Sequence, residues 1–447
     1  MSEGEVIRAK DRDAVLQSLR AGVVPRRGQH LIQVGREAEI RVLMDDLARV
    51  AEGGAAVRFV IGPYGAGKTF FLNLVRAVAM ERKLVCVQAD LAPDRRLFGT
   101  SGESRTLYAE LMTNMATRSK PEGGALPGVV ERFVSTALGD ARQREVEPAV
   151  VIQERLASLA ELRGGFDFAQ VVERYWEGHD TGNEQLTADA VRWLRAEFTT
   201  RTEARAALGV RSIIDDADFL DHLELMARFC RLAGFDGLLV CLDEMVNLYK
   251  MNSPKARSSN YEQVLRIVND CLQGSASGLG FVFGGTPEFL TDTRRGLFSY
   301  PALQSRLSEN SFAKDGLVDL SGPVIRLQNL GPEDVYVLLI NIRRVQAGGD
   351  PARFLLPDEG LRAFMEHCGR RIGDAWFRTP RNTVKEFVHL LAVLEQNPGA
   401  DWRRLLGNVD PAEDKEPADA PLPEDVDAEG DPKPQVGGDD ELQSFRI

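Results

Sequence analysis

The chain has few of the residues that would commit it to disulfide, metal or membrane chemistry. Its five cysteines (Cys86, Cys230, Cys241, Cys271 and Cys368) are scattered, odd in number and free of any C-x-x-C spacing. They read as small buried hydrophobes of a reducing compartment, not as a disulfide framework or zinc ligands. The five histidines are equally dispersed. No apolar run approaches the roughly 20 residues that a membrane-spanning helix needs, and Leu238-Leu239-Val240-Cys241-Leu242 is typical of the longest. Met1-Ser2-Glu3-Gly4-Glu5 offers neither the basic nor the apolar region of a secretion signal. These absences lead us to expect a cytoplasmic protein without membrane association.

Acid is abundant, but it is localised. The formal net charge is −12, and residues 410–441 hold thirteen Asp or Glu against only Lys415 and Lys433. With that segment and Arg446 set aside, residues 1–409 carry only about −2. Rich in proline, glycine and acid, the stretch 408–447 cannot bury enough apolar surface to fold and is expected to be a disordered tail. Leu442-Gln443-Ser444-Phe445-Arg446-Ile447 is apolar again, either a frayed end of that tail or a tethered docking peptide. The remaining 407 residues leave ample length for a sizeable core and two or three domains.

One segment carries most of the chemical information. Gly62-Pro63-Tyr64-Gly65-Ala66-Gly67-Lys68-Thr69 matches G-x-x-x-x-G-K-[ST] in full. Arg58-Phe59-Val60-Ile61 before it reads as a buried strand, and Phe70-Phe71-Leu72-Asn73 after it opens a helix. The glycines let the backbone turn tightly and aim its N–H groups at phosphate oxygens. Lys68 can reach the β- and γ-phosphates, Thr69 can ligate Mg²⁺, and the helix N-terminus favours negative charge. The motif therefore implies a nucleoside triphosphate, with ATP and Mg²⁺ the expected cofactors and residues 62–70 the cradle.

Other stretches fall into place around it. Leu84–Ala89 reads as a second strand, so a β–P-loop–α–β unit with right-handed crossover predicts a parallel sheet. Between about 91 and 236 apolar positions recur at helical spacing, as in Leu107/Leu111/Met115 and Phe219/Leu223/Met226/Cys230. An ordinary crossover needs one helix, so this is a helical insertion, serving partner binding or plain scaffolding. Gly237–Glu244 is an apolar strand ending in paired carboxylates. Asp243 can hold Mg²⁺ and Glu244 can polarise an attacking water. Leu279–Gly284 is a further strand, running into Thr286, which either faces the γ-phosphate or caps its own turn. Pro323–Leu327 supplies a fifth strand, and residues to about 397 read as a small helical lid. There Thr379 is a plausible N-cap, and Arg381 in the first turn either folds back onto the nucleotide or lies on the surface.

Taken together, Gly35-Arg36-Glu37, the P-loop, Asp243-Glu244, Thr286, Arg306 and Arg381 resemble the AAA+ ATPases of the origin-recognition and loader branch. More narrowly, LLVCLDEMVNLYK (238–250), NYEQVLRIVNDCLQG (260–274) and FVFGGTPEFLTDTRRGLFSYPALQSRL (281–307) resemble the ATP-binding protein of bacteriophage-exclusion (BREX) defence systems. The resemblance covers about Arg12 to Glu395 and omits the acidic tail. It implies an AAA+ core at 34–312, a strand and helical lid at 313–407, an N-terminal helical arm at 1–33, and a prokaryotic host. It further implies an ATPase acting as a homo-oligomer with a helicase or other DNA-acting subunit. An arginine near Ser299–Leu307 would reach a neighbour's γ-phosphate: Arg306 is the candidate, with Arg294 and Arg295 as rivals. Origin-recognition ATPases usually carry a winged helix after the lid, and little beyond residue 407 here could fold into one. Direct DNA binding through the basic loop Lys250–Arg257 therefore stays open. So does the alternative of a nucleotide-gated binding module with incidental hydrolysis; a P-loop kinase or other transferase finds no second substrate site in the sequence.

Overall fold

The structure, a computed structural model, describes residues 6–313, 319–374, 377 and 380–407. Its centre is a parallel sheet of five strands: β1 (Ala55–Ile61), β2 (Leu84–Asp90), β3 (Gly237–Asp243), β4 (Leu279–Gly285) and β5 (Val324–Arg326). They lie in the order β2-β3-β4-β1-β5. The P-loop strand β1 is thus flanked by β4 and β5, and the carboxylate strand β3 is one place further out. The first four strands are buried along nearly their whole length, which is why they read as continuous apolar runs. Strand β1 begins at Ala55, three residues before the sequence signal, because Ala-Ala-Val carries little β-branched or aromatic character.

Alternation along β1 divides the core. Ala55, Val57, Phe59 and Ile61 face one side, where Phe59 stacks on Phe283 of β4 at 4.8 Å between ring centroids. The insertion joins this same core: its helices from Glu103–Thr113 to Phe219–Leu232 contribute Tyr108, Phe133, Phe168, Trp193 and Phe229. The predicted faces Leu107/Leu111/Met115 and Phe219/Leu223/Met226/Cys230 are buried throughout. On the opposite side Ala56 and Val60 meet the helices Glu37–Ala51 and Lys68–Glu81. Arg58 also points there, and its buried guanidinium is paired with Asp46 and bonded to the carbonyls of Leu320 and Gly322. A charge inside a central strand is tolerated only with such partners.

A separate apolar cluster forms the lid from the helices Pro332–Gln346, Asp358–Ile372 and Arg381–Gln396, with Phe364 and Phe387 at its centre. The N-terminal helix Ala9–Arg20 packs into this cluster through Val15 and Leu16. Ile7 N–H donates to Gly348 O at 3.1 Å, and Arg12 pairs with Glu395 at 3.1 Å. The arm is therefore built into the lid. Thr379 and the acidic tail 408–447 lie outside the described residues; Pro380 stands at the N-cap position of the last long helix and Arg381 is its first residue.

Candidate functional site

The P-loop is shaped by its glycines. Gly65 and Gly67 have φ of 79° and 81°, in the left-handed region where a side chain is strained. A Cβ on Gly62 would sit 2.9 Å from Leu327 O, so close packing against the segment after β5 requires its absence. Gly67 is the N-cap of the helix Lys68–Glu81, whose free N–H groups face the loop. Behind the loop, Arg36 donates to Ala66 O at 3.1 Å and to Gln328 O. The Gly-Arg-Glu turn thus braces the P-loop from outside the cleft, a contact with no sequence signal beyond the turn itself.

The loop opens onto a cleft of about 770 Å³. Gly65, Gly67, Lys68, Thr69 and Phe70 line one wall, Asp243 and Glu244 another, and Pro380 with Arg381 a third. Lys68 Nζ donates to Gly62 O at 2.9 Å and Pro63 O at 3.0 Å. Burial lowers its pKa, opposed by the carboxylates of Asp243, Glu244 and Glu288. Thr69 Oγ1 donates to Asp243 Oδ2 at 2.7 Å, joining the P-loop to the end of β3. Asp243 Oδ1 accepts from Glu244 N–H at 2.9 Å. Glu244 has φ of 56°, a strained value for a non-glycine residue, and this turn swings its side chain out of the strand and into the cleft. Desolvation, then the neighbouring carboxylates of Asp243 and Asp90, hold its carboxyl above the usual range.

The remaining expected residues divide. Arg381 reaches the cleft, with Nε donating to Gly22 O at 2.6 Å. Thr286 does not line it; its hydroxyl caps the short helix Pro287–Thr291 by accepting from Phe289 N–H at 3.4 Å. Arg306 is engaged within the chain, Nε to Asn269 Oδ1 at 2.6 Å and Nη1 to Ala302 O at 2.9 Å. Arg295 is buried and bonded to Met251 O at 2.8 Å, whereas Arg294 is exposed. In the basic loop, Arg257 is buried on Met251 O, leaving Lys250 and Lys255 exposed.

Two features of the cleft escaped the sequence. Asp90, at the end of β2 and in register with Asp243, lines it. So does the segment Gly22–Arg26 that leaves the arm, bringing an apolar strip of Val23, Val24 and Pro25 opposite the P-loop.

The donor set fits a hard cation. Among the described residues no group of three or more His, Cys, Asp or Glu could hold a metal. A hydroxyl and a carboxylate oxygen 2.7 Å apart at the P-loop are what Mg²⁺ takes when phosphates and water supply its other ligands.

A parallel α/β sheet with a phosphate loop after its central strand, and a paired-acid strand alongside, defines a P-loop nucleotide-binding protein. Within that class, the chain belongs to the family of the BREX system ATP-binding protein BrxC/D, whose model matches residues 7–410. The match takes in the sheet, the insertion and the lid. No curated protein matches the chain. Family and fold together make it an ATP-binding protein of a phage-defence system, and no described helix is long and apolar enough to cross a membrane.

Proposed function

We propose that the chain binds ATP with Mg²⁺ and hydrolyses it, working as a motor or switch in prokaryotic anti-phage defence. It would act as a homo-oligomer beside other subunits of the system, a helicase or other DNA-acting protein among them. The observation that carries this reading is the 2.7 Å bond between Thr69 and Asp243, with Glu244 projecting beside it. Metal-binding oxygens and a candidate base converge there on the phosphate end of one cleft.

In this reading the backbone N–H groups of residues 65–69 and the Lys68 ammonium hold the β- and γ-phosphates. Mg²⁺, held by Thr69 and Asp243, would neutralise charge on the phosphate oxygens. Glu244 orients a water in line with the γ-phosphorus and takes its proton as the new P–O bond forms, while the bond to the β-phosphate oxygen breaks and ADP leaves. Arg381, fixed to Gly22 O, closes the cleft from the lid side.

The test is nucleotide binding and turnover measured on the same preparations. Lys68→Ala should lose ATP binding. Glu244→Gln should keep it and lose roughly 10²-fold or more in turnover, the usual range for a positioned base. Wild-type turnover in Glu244→Gln would remove the assignment. The engagement of Arg306 by Asn269 and Ala302 O favours one slower alternative, a nucleotide-gated binding module with incidental hydrolysis. A turnover rate per chain that stays flat with rising protein concentration and added DNA would select it.

A further inference from the structure

Behind the nucleotide cleft, a single side chain touches both the phosphate loop and the connection that leads to the lid. From one guanidinium nitrogen, Nη2, Arg36 donates to Ala66 O at 3.1 Å and to Gln328 O. Gln328 lies between β5 and the first lid helix, Pro332–Gln346. The residue before it is itself tied to the P-loop strand, with Leu327 N–H donating to Ile61 O at 2.7 Å. The Arg36 side chain is 14% exposed, and its Nη1 lies 3.8 Å from Glu39. Burial lowers its pKa, opposed by the carboxylates of Glu39 and of Asp334 in the first turn of that lid helix.

The turn that aims this side chain is costly. Gly35 and Arg36 both have positive φ, 61° and 65°. A non-glycine residue stays in the left-handed region only where its surroundings over-determine it, and such residues collect at functional sites. The bond to Ala66 O also fixes more than one oxygen. The carbonyl of Ala66 and the N–H of Gly67 share a trans peptide plane and point in opposite directions. With the oxygen held behind the loop, the N–H turns toward the cleft, which Gly67 lines. Rotation of that plane uses φ of Gly67, and glycine opposes it little. Arg36 supplies the restraint that the glycine lacks.

We propose that Arg36 is a positioning residue that couples the lid to the P-loop. It holds the Ala66–Gly67 peptide in the orientation that binds the β-phosphate of a nucleoside di- or triphosphate, and it ties that orientation to the position of the Gln328 carbonyl, from which the lid departs. The lid has an apolar cluster of its own, so it can shift as a body about this connection. By linkage, whatever a seated lid adds to phosphate affinity, bound phosphate adds to the seating of the lid. The proposal rests on nucleotide binding at the P-loop and is independent of hydrolysis.

The test compares Arg36→Met, which keeps the apolar stem and loses the donors, with Arg36→Lys, which restores a charged donor. ATP and ADP affinities are measured on the full chain. Amide hydrogen exchange is followed without nucleotide and at a nucleotide concentration that saturates each variant. Arg36→Met should bind both nucleotides at least tenfold more weakly, and Arg36→Lys should recover part of that loss. In the parent, saturating nucleotide should slow exchange in Lys68–Glu81 and in the lid helices Pro332–Gln346 and Arg381–Gln396. In saturated Arg36→Met the slowing should persist in Lys68–Glu81 and vanish from the lid, a separation that a merely structural residue would not produce. Parental affinity in Arg36→Met would overturn the proposal, as would lid protection equal to the parent's at saturation or a parent whose lid ignores nucleotide. Faster exchange in β1 and β4 of nucleotide-free Arg36→Met would assign Arg36 to overall stability and overturn it too. A parent that binds neither nucleotide would remove the P-loop site itself, whereas the other adverse results remove only the coupling.

Discussion

Asp243 depends on a residue it does not bond to. A Cβ on Gly284, in the adjacent strand β4, would lie 3.0 Å from Asp243 Cγ and closer still to its Oδ1. The carboxylate cannot simply rotate away, because Thr69 and the Glu244 N–H hold both of its oxygens. Gly284→Ala should therefore displace it and break the link to Thr69, a loss of about 1.5–3 kcal/mol for a bond to a charged group. Turnover should drop at least tenfold and the Mg²⁺ requirement rise, with the far-ultraviolet spectrum unchanged; parental turnover would show that the carboxylate has room to spare. Asp90 raises the opposite question, since its carboxylate has no hydrogen bond among the described residues. Although its tip reaches solvent, the cleft wall, and then the adjacent Asp243 carboxylate, hold its carboxyl above the ordinary range. A folded-state pKa above the unfolded one means that the folded chain binds the extra proton, so stability falls as pH rises through that interval. Asp90→Asn should accordingly raise the Tm at pH 7 by about 1–2 °C without nucleotide or metal, a small shift for a domain of this size. The gain should shrink as the pH falls below the unfolded aspartate's ordinary pKa of about 3.9, where aspartate becomes protonated in both states. A lower Tm at pH 7 would mean that Asp90 is held by an interaction worth more than the repulsion.

At the scale of elements, the sequence disclosed what is local. Strands β1 to β4, the P-loop helix and the acid pair follow from apolar runs, glycine spacing and a strand end. The insertion was legible as helices because Leu107, Leu111, Phe219 and Leu223 recur at helical spacing. That these helices share one core with the sheet was not, since such packing is decided by residues more than a hundred positions apart. Thr286 shows the ambiguity of a polar residue at a strand end: the same hydroxyl suits a phosphate or a helix cap, and here it caps. Asp90 was hidden for a similar reason, because a lone acid after an apolar run looks like a surface turn. The arm is the largest such case. Nothing between residues 8 and 22 announces that Val15 and Leu16 belong to the lid, yet Val15 is fully buried there. Val15→Asp would place an unpaired charge in that core, a cost of several kcal/mol. Amide hydrogen exchange should then accelerate in Arg381–Gln396 as well as in Ala9–Arg20, while β1 and β4 stay protected. Acceleration confined to Ala9–Arg20 would show an arm that merely rests on a self-sufficient lid.

For the whole molecule, the open matter is whether one chain contains a complete site. Lys68, Thr69, Asp243, Glu244 and Arg381 meet in the cleft, but none of the arginines between 294 and 306 reaches it. Arg306 would have to give up Asn269 and Ala302 O to act elsewhere, and Arg295 would have to leave a buried position. Arg294 is exposed, and its backbone N–H is pinned by Asp292 Oδ1 at 2.7 Å, so its guanidinium can extend from a fixed turn toward a neighbouring chain. If a neighbour's arginine stabilises the transferring phosphoryl group, Arg294→Ala should bind ATP normally, keep the parental Tm and lose about 10³-fold in turnover, the scale at which such arginines act. Arg306→Ala should instead lower the Tm, because it leaves Asn269 and a carbonyl without their donor. Complementation then separates a shared site from a self-contained one. Lys68→Ala chains cannot hold ATP but still present Arg294, and Arg294→Ala chains hold ATP but lack the arginine. Mixing the two inactive proteins should restore turnover as the Lys68→Ala partner is raised, with each active site assembled across a subunit boundary. If the mixture stays inactive while each protein still oligomerises, the arginine is not supplied in trans, and the slow nucleotide-gated module becomes the better description of this chain.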